Sequence, residues 1–173
     1  MHKPGLLVAA VAAALVSGCE PAGTACPAIA QATSVALTVT AGYAPKVAAL
    51  HLRACQDGTC KEADVELRPG STSVDQGCTA EGACSATASP DGTKVAALML
   101  ETLTESPLVV TASGTASDGT TLPARTLEFR PQASYPFGEQ CGKFLSASLT
   151  LDGDGLHQQQ APKSGGARKA PAG

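Results

Sequence analysis

Cysteine is the residue type in this chain with the widest choice of chemistry, because it can form disulfides, bind metals or act as a nucleophile. The sequence contains seven cysteines, namely Cys19, Cys26, Cys55, Cys60, Cys78, Cys84 and Cys141. No two of them have the CxxC spacing that is typical of zinc sites and dithiol redox centres. His51 and His157, which could complete a zinc site, lie far apart in the sequence. The spacing favours structural disulfides, and we expect no metal and no cofactor.

Cys19 differs from the other cysteines because it follows a short apolar stretch near the start of the chain. The run Leu15-Val16-Ser17-Gly18-Cys19 ends that stretch, and His2 and Lys3 precede it. This arrangement resembles the lipobox of bacterial lipoproteins, in which the preceding segment is removed and the cysteine carries the lipid. The resemblance implies a signal peptide over residues 1–18, lipidation of Cys19, and attachment to the extracytoplasmic face of the cell membrane.

Residues 1–18 have other interpretations. A transmembrane helix needs about 20 consecutive apolar residues, and this stretch has roughly half that number. An ordinary secretory signal fits the pattern but leaves Cys19 as an odd thiol in an exported chain. A buried core helix would need a helical partner, and nothing downstream has convincing helical periodicity.

The Asp57-Gly58 dipeptide predicts a two-residue hairpin turn that fixes the pairing of the residues around it. Cys55 then faces Cys60, and on the same side of the hairpin Arg53 faces Glu62 and His51 faces Asp64. Leu52 faces Ala63 and Leu50 faces Val65 on the other side. Because a slip of one residue would mix the charged and apolar faces, we predict a cross-strand Cys55–Cys60 disulfide.

The other two disulfide pairings are inferred from proximity in the sequence and from elimination. An even number of cysteines in an exported chain predicts a complete disulfide framework. Cys78 and Cys84 lie close together in a glycine-containing loop, and we pair them. Cys26 and Cys141 then remain and would tie the start of the domain to the loop before its last strand, although six cysteines allow many connectivities.

Alternating apolar and polar residues predict further strands. The first covers residues 34–40 and the last covers 144–151, where Asp152-Gly153-Asp154-Gly155 would form a turn. A second hairpin is expected to turn at Ser89-Pro90-Asp91-Gly92, joining residues 84–89 to 95–103. A third is expected to turn at Asp118-Gly119, with Val110 facing Leu127 and Leu108 facing Phe129.

About seven to nine short strands, separated by turns, predict an all-β fold of the antiparallel β-sandwich type. The chain resembles the immunoglobulin-like modules of exported lipoproteins from high-GC Gram-positive bacteria. The resemblance rests on the lipobox, on the hairpin from Cys55 to Cys60, and on the ending from Cys141 to Gly155. We expect a lipid-anchored tether over 19–30, an immunoglobulin-like β-sandwich over 31–157, and a disordered tail over 158–173. Such modules imply no catalytic residues.

Other chemistry has weak support in the sequence. The formal net charge of −3 argues against a nucleic-acid partner. Asp152-Gly153-Asp154-Gly155 could begin a calcium loop, but the further oxygen ligands of such loops do not follow, and a turn explains the residues more simply. No Gly-x-Ser-x-Gly motif frames a serine for a catalytic triad, and His51 is expected to pair with Asp64.

The sequence therefore predicts a non-enzymatic, membrane-anchored extracytoplasmic lipoprotein. Its partners would be the membrane, through the lipid on Cys19, and a protein or other component of the cell envelope. The alternative is a sensor or substrate-capture lipoprotein that binds a small ligand or calcium, and such a protein would need a pocket.

Overall fold

A computed structural model describes residues 25–29 and 31–159 of the chain. Within these residues the fold is all-β, with two short 3₁₀ turns at Ala44–Lys46 and Glu139–Cys141. The ten strands are β1 (Ser34–Val39), β2 (Val47–Gln56), β3 (Thr59–Val65), β4 (Arg68–Cys78), β5 (Cys84–Met99), β6 (Leu108–Ala116), β7 (Thr121–Phe129), β8 (Gln132–Ser134), β9 (Phe144–Leu151) and β10 (Leu156–Gln158).

The strands form two sheets. The first sheet has the order β10-β9-β1-β5-β4, and β8 also pairs with β9. The second sheet has the order β3-β2-β6-β7. Alternate residues of both sheets are buried together in one core of valine, leucine and alanine side chains, and the aromatic ring of Phe129 is 8% exposed there. The described residues therefore form two sheets around one core, as the binary pattern predicts.

The pairing of β1 with β9 is parallel, with Val35 beside Ala147 and Val39 beside Leu151. The expectation of antiparallel pairing is therefore wrong for this pair. The described residues also form ten strands, whereas about seven to nine were expected. The alternation of buried and exposed residues is the same in both types of pairing when one face of a sheet is covered. The sequence pattern alone could not show that β1 and β9 run in the same direction.

Two of the predicted hairpins are confirmed. In β2 and β3, Cys55 faces Cys60, Arg53 faces Glu62 and His51 faces Asp64. In β6 and β7, Leu108 faces Phe129 and Val110 faces Leu127, while a register shift after Ala112 displaces the pairs nearer the turn. The Asp57-Gly58 turn sets the pairing of β2 and β3, whereas β6 and β7 return to the expected pairs only beyond the register shift; Gly58 and Gly119 have positive φ angles of 80° and 83°.

The predicted second hairpin is wrong. Strand β5 runs without reversal from Cys84 to Met99, straight through Ser89-Pro90-Asp91-Gly92. The chain reverses instead between Cys78 and Cys84, so that β4 pairs with both halves of β5. The residues expected to turn form a bulge, because Pro69 faces Lys94 whereas Ser71 already faces Pro90.

Both ends of the described part of the chain are joined to the rest of the fold. Cys26, placed in the tether by the sequence, is bonded to Cys141. At the other end β10 includes Gln158, and the backbone N–H of Gln159 donates to the carbonyl of Ser148 over 2.8 Å. The described residues are thus joined to the fold from Cys26 to Gln159. The predicted signal peptide, Cys19 and the tail from residue 160 onward lie outside the described residues.

Candidate functional site

The most prominent surface feature is a two-stranded ribbon formed by the outer halves of β4 and β5. We call residues 71–90 the arm. All of them are exposed except Ser89, which is half-buried. None contributes to the hydrophobic core. Since each strand has about 3.3 Å per residue, the arm extends roughly 20–25 Å from Ser71 to Cys78.

The bulge in β5 fixes the base of the arm. The Asp91 carboxylate accepts the hydroxyl of Thr93 over 2.6 Å and its backbone N–H over 3.0 Å. These two hydrogen bonds hold the pKa of Asp91 below its usual value. On β4, the buried Gly70 passes so close to the bulge that a Cβ there would lie 1.9 Å from the Thr93 Oγ1 atom. Just beyond the bulge, the Lys94 ammonium donates to the carbonyl of Val47 over 2.7 Å, joining β5 to the second sheet.

A disulfide holds the tip of the arm. Cys78 and Cys84 are opposed residues and are bonded to each other, as we expected from their spacing. The backbone N–H of Thr79 donates to the carbonyl of Ala83, and that of Gly82 donates to the carbonyl of Thr79. An isolated two-stranded hairpin is only marginally stable in water, so the bridge and the anchored base together explain how the arm stays paired.

Both edges of the arm are open within the part of the chain that the structure describes. Strand β4 is the last strand of the first sheet, and β1 pairs with β5 only from Lys94 to Met99. An open edge exposes unpaired backbone N–H and C=O groups that can pair with another strand. The arm is therefore able to accept an added strand on either side.

The composition of the arm contrasts with that of the two edge strands of the second sheet. The edge strand β3 carries Lys61, Glu62 and Asp64, and β7 contains Pro123 and Arg125. Charges and proline are the usual devices that prevent edge-to-edge association. The β4 edge from Ser71 to Val74 has none of these, and two exposed apolar side chains lie on the arm and next to its base, namely Val74 (41%) and Val95 (37%).

The predicted charged face of the first hairpin lies on the outside of the second sheet. His51 Nδ1 is 2.9 Å from Asp64 Oδ1, and Arg53 Nε is 3.4 Å from Glu62 Oε2. His51 is therefore a cross-strand partner of Asp64, as the sequence predicts. The Cys55–Cys60 disulfide continues the same row toward the turn.

The Asp152-Gly153-Asp154-Gly155 segment is a turn between β9 and β10. Asp152 Oδ1 accepts the backbone N–H groups of Gly155 and Asp154 over 3.0 and 2.9 Å, and lies 3.2 Å from His157 Nε2. The backbone hydrogen bonds from Gly155 and Asp154, followed by His157, lower the pKa of Asp152. Across residues 25–29 and 31–159, no group of three or more His, Cys, Asp or Glu is placed to hold a metal ion.

A cleft of about 210 Å³ opens between the two sheets beside the first hairpin. Leu100 and Leu108 line its apolar side, and Lys61 and Glu101 line its polar side. Gln56 forms part of the wall and hydrogen-bonds the backbone of Thr104 and Ser106, which fixes the neighbouring loop. The volume is below the range of roughly 300–1,000 Å³ that is typical of small-molecule sites, whereas an open depression of about 400 Å³ beside Arg68, Val95 and Met99 lies within that range.

The cysteine spacing in the sequence also indicates the arm. Cys78 and Cys84 enclose a short segment with Gly82, much as Cys55 and Cys60 enclose Asp57-Gly58. Treating both cysteine pairs as hairpin tips would have placed the reversal at residues 79–83. The turn pattern around Pro90 is stronger, and it predicts a reversal at that position instead.

Comparisons with protein-family models, curated proteins and solved structures find no match to this chain. Among the residues that the structure describes, no helix is long and apolar enough to cross a membrane.

Proposed function

We propose that this protein is a lipid-anchored extracytoplasmic interaction module that binds an extended segment of a cell-envelope protein through its arm. The observation that carries the proposal is the arm itself: a stiffened ribbon, exposed on both faces, with both edges open. In β-strand addition the backbone hydrogen bonds supply affinity, and side chains such as Val74 contribute specificity.

The arrangement of the two ends of the domain supports this proposal. The side chain of Gln31 exchanges hydrogen bonds with the backbone of Leu145, so the chain enters beside the start of β9. Strand β1 then runs away from that end, and its last residue, Val39, pairs with Lys94 of β5. The arm continues from Lys94 in the same direction. An anchor at Cys19 would therefore place the arm at the end of the domain far from the membrane.

The bonded cysteines also support an extracytoplasmic location. The Cys26–Cys141, Cys55–Cys60 and Cys78–Cys84 disulfides use every cysteine within the described residues. Disulfides of this kind persist in oxidising compartments and are rare in the cytosol. Cys19 is the remaining cysteine of the chain and is the residue that the lipobox resemblance assigns to the lipid.

Two variants test the proposal. Cys19→Ala should leave the membrane fraction and be processed differently, whereas wild-type protein should remain membrane-bound after a high-salt wash. In the second variant, an Asn-Gly turn replaces residues 74–87 after the opposed pair Ser73 and Ala88. It should remain anchored and keep the melting temperature of the body but lose its envelope partner in cross-linked membranes.

The two parts of the proposal, the lipid anchor and binding through the arm, can each be contradicted by a specific result. An unprocessed or soluble wild-type protein, or a Cys19→Ala protein that is membrane-bound and still processed at the same place, would contradict the anchor. Recovery of the same envelope partner by the arm-shortened variant would contradict binding through the arm.

A further inference from the structure

The Cys55–Cys60 disulfide lies on the outer face of the second sheet at its open β3 edge. Cys60 is exposed and Cys55 is half-buried. The Arg53 guanidinium donates a hydrogen bond from Nη2 to the Cys60 Sγ atom over 3.3 Å. Its Nε atom lies 3.4 Å from Glu62 Oε2, which holds the guanidinium beside the bridge. A fixed positive charge therefore touches one sulfur of an accessible disulfide.

The second hairpin bridge provides an internal comparison. Cys78–Cys84 also closes a hairpin tip, with a sequence separation of 6 against 5 for Cys55–Cys60. Its surroundings differ in one respect: the two charged residues of the arm between Ser71 and Pro90, Asp75 and Glu81, are both acidic, so the arm has no cation that could contact a sulfur as Arg53 contacts Cys60. The two bridges thus have similar topology and exposure but different charge.

We propose that Cys55–Cys60 is a reversible thiol-exchange site for low-molecular-weight anionic thiols. The incoming thiolate attacks Cys60 Sγ from the open edge of β3. A new sulfur–sulfur bond forms to Cys60 as the Cys55–Cys60 bond breaks, and Cys55 leaves as a thiolate. The product is a mixed disulfide at Cys60. Attack by a second thiol on the bound thiol's sulfur then releases Cys60, so that two thiols are oxidised to one disulfide while the protein bridge is reduced.

Arg53 favours this reaction for two reasons. In the transition state of exchange the negative charge lies mainly on the entering and leaving sulfurs, and both are bonded to Cys60 Sγ, which the guanidinium contacts. The same positive charge attracts an anionic thiol. The Cys78–Cys84 bridge has acidic residues instead, which repel such a thiol.

The hairpin can lose this bridge and remain folded. Strands β2 and β3 are paired from Gln56 and Thr59 to Leu50 and Val65. Leu50 and Leu52 are buried in the core on the face of β2 opposite the bridge. Exchange at Cys60 would therefore alter the surface of the second sheet without unfolding the domain. This inference is independent of partner binding by the arm.

The rates of exchange at the two hairpin bridges test the inference. The full chain is exposed to reduced glutathione, quenched with acid, alkylated and mapped by mass spectrometry. Cys55–Cys60 should open at least about fivefold faster than Cys78–Cys84, which is the factor expected for one nearby charge in water. Arg53→Gln should remove this advantage, Arg53→Lys should retain part of it, and the Cys78–Cys84 rate should not change.

Arg68→Gln is the matched control, because Arg68 also forms an exposed pair with a glutamate, Glu66, over 2.8 Å but contacts neither bridge. It should leave both rates unchanged. Neutral 2-mercaptoethanol should reduce the difference between the bridges relative to glutathione. Equal rates for the two bridges in wild-type protein, or a Cys55–Cys60 rate that Arg53→Gln leaves unchanged, would overturn the proposal.

Discussion

Gly70 and Thr93 face each other at the base of the arm, where β4 passes the bulge in β5. The Thr93 side chain is held by Asp91, so it has little freedom to move away from a new methyl group. This close approach explains why glycine is found at a buried position of a strand, where it would otherwise weaken the sheet. The geometry of the arm thus depends on the absence of one side chain.

Gly70→Ala should therefore destabilise the protein. The added Cβ would lie 1.9 Å from Thr93 Oγ1 and 3.1 Å from Asp91 Oδ1. Relief of that overlap should lower the free energy of unfolding by about 1–3 kcal/mol in urea denaturation. Gly42→Ala is the control, because nothing lies within 4 Å of its Cβ position. Equal stability of the two variants would show that the bulge is not packed as described.

At the scale of elements, the disulfides have different roles. The Cys26–Cys141 bridge joins residues 115 apart, whereas Cys78–Cys84 joins residues 6 apart. In the chain-entropy account, the long loop stabilises the fold by about 4–5 kcal/mol and the short loop by about 2 kcal/mol.

Replacing both cysteines of each pair by serine should reveal this difference. The Cys26→Ser/Cys141→Ser protein should show the larger loss of unfolding free energy. The Cys78→Ser/Cys84→Ser protein should show faster amide hydrogen exchange confined to the arm, since no arm residue belongs to the core. Unchanged exchange in the arm after loss of Cys78–Cys84 would contradict a role for this bridge in keeping the arm paired.

The elements were predictable where local chemistry determined them. Asp57-Gly58 sets the pairing of β2 and β3, and the bounds of β9 agree with the alternation from Phe144 to Leu151. The turn residues around Pro90 also have the expected local geometry, with Gly92 at a φ of 80°. Whether such a segment reverses the chain or forms a bulge depends on the partner strand. That partner, β4, has no alternation of buried residues in the arm to reveal it.

At the scale of the whole molecule, two sheets and a core of small aliphatic side chains follow from the sequence pattern, but their arrangement does not. Strand β1 lies parallel to β9, so both strands run from the end where the chain enters toward the end that carries the arm. This arrangement places the entry of the chain, at the Cys26–Cys141 bridge, at one end and the arm beyond the other. The chain that would lead from the proposed lipid anchor and the arm proposed as the binding surface would then lie at opposite ends of the domain, a relation that composition alone could not show.

Photo-cross-linking in intact cells tests the central claim most directly. A benzophenone amino acid at Val74, on the open edge of the arm, should give a discrete covalent adduct with one envelope protein. The same probe at Thr126, which faces Thr111 on the second sheet, is the control and should give none. The Val74 adduct should disappear when Cys19→Ala releases the protein from the membrane. An adduct of equal yield from Thr126, or none from Val74 in the anchored protein, would contradict binding through the arm.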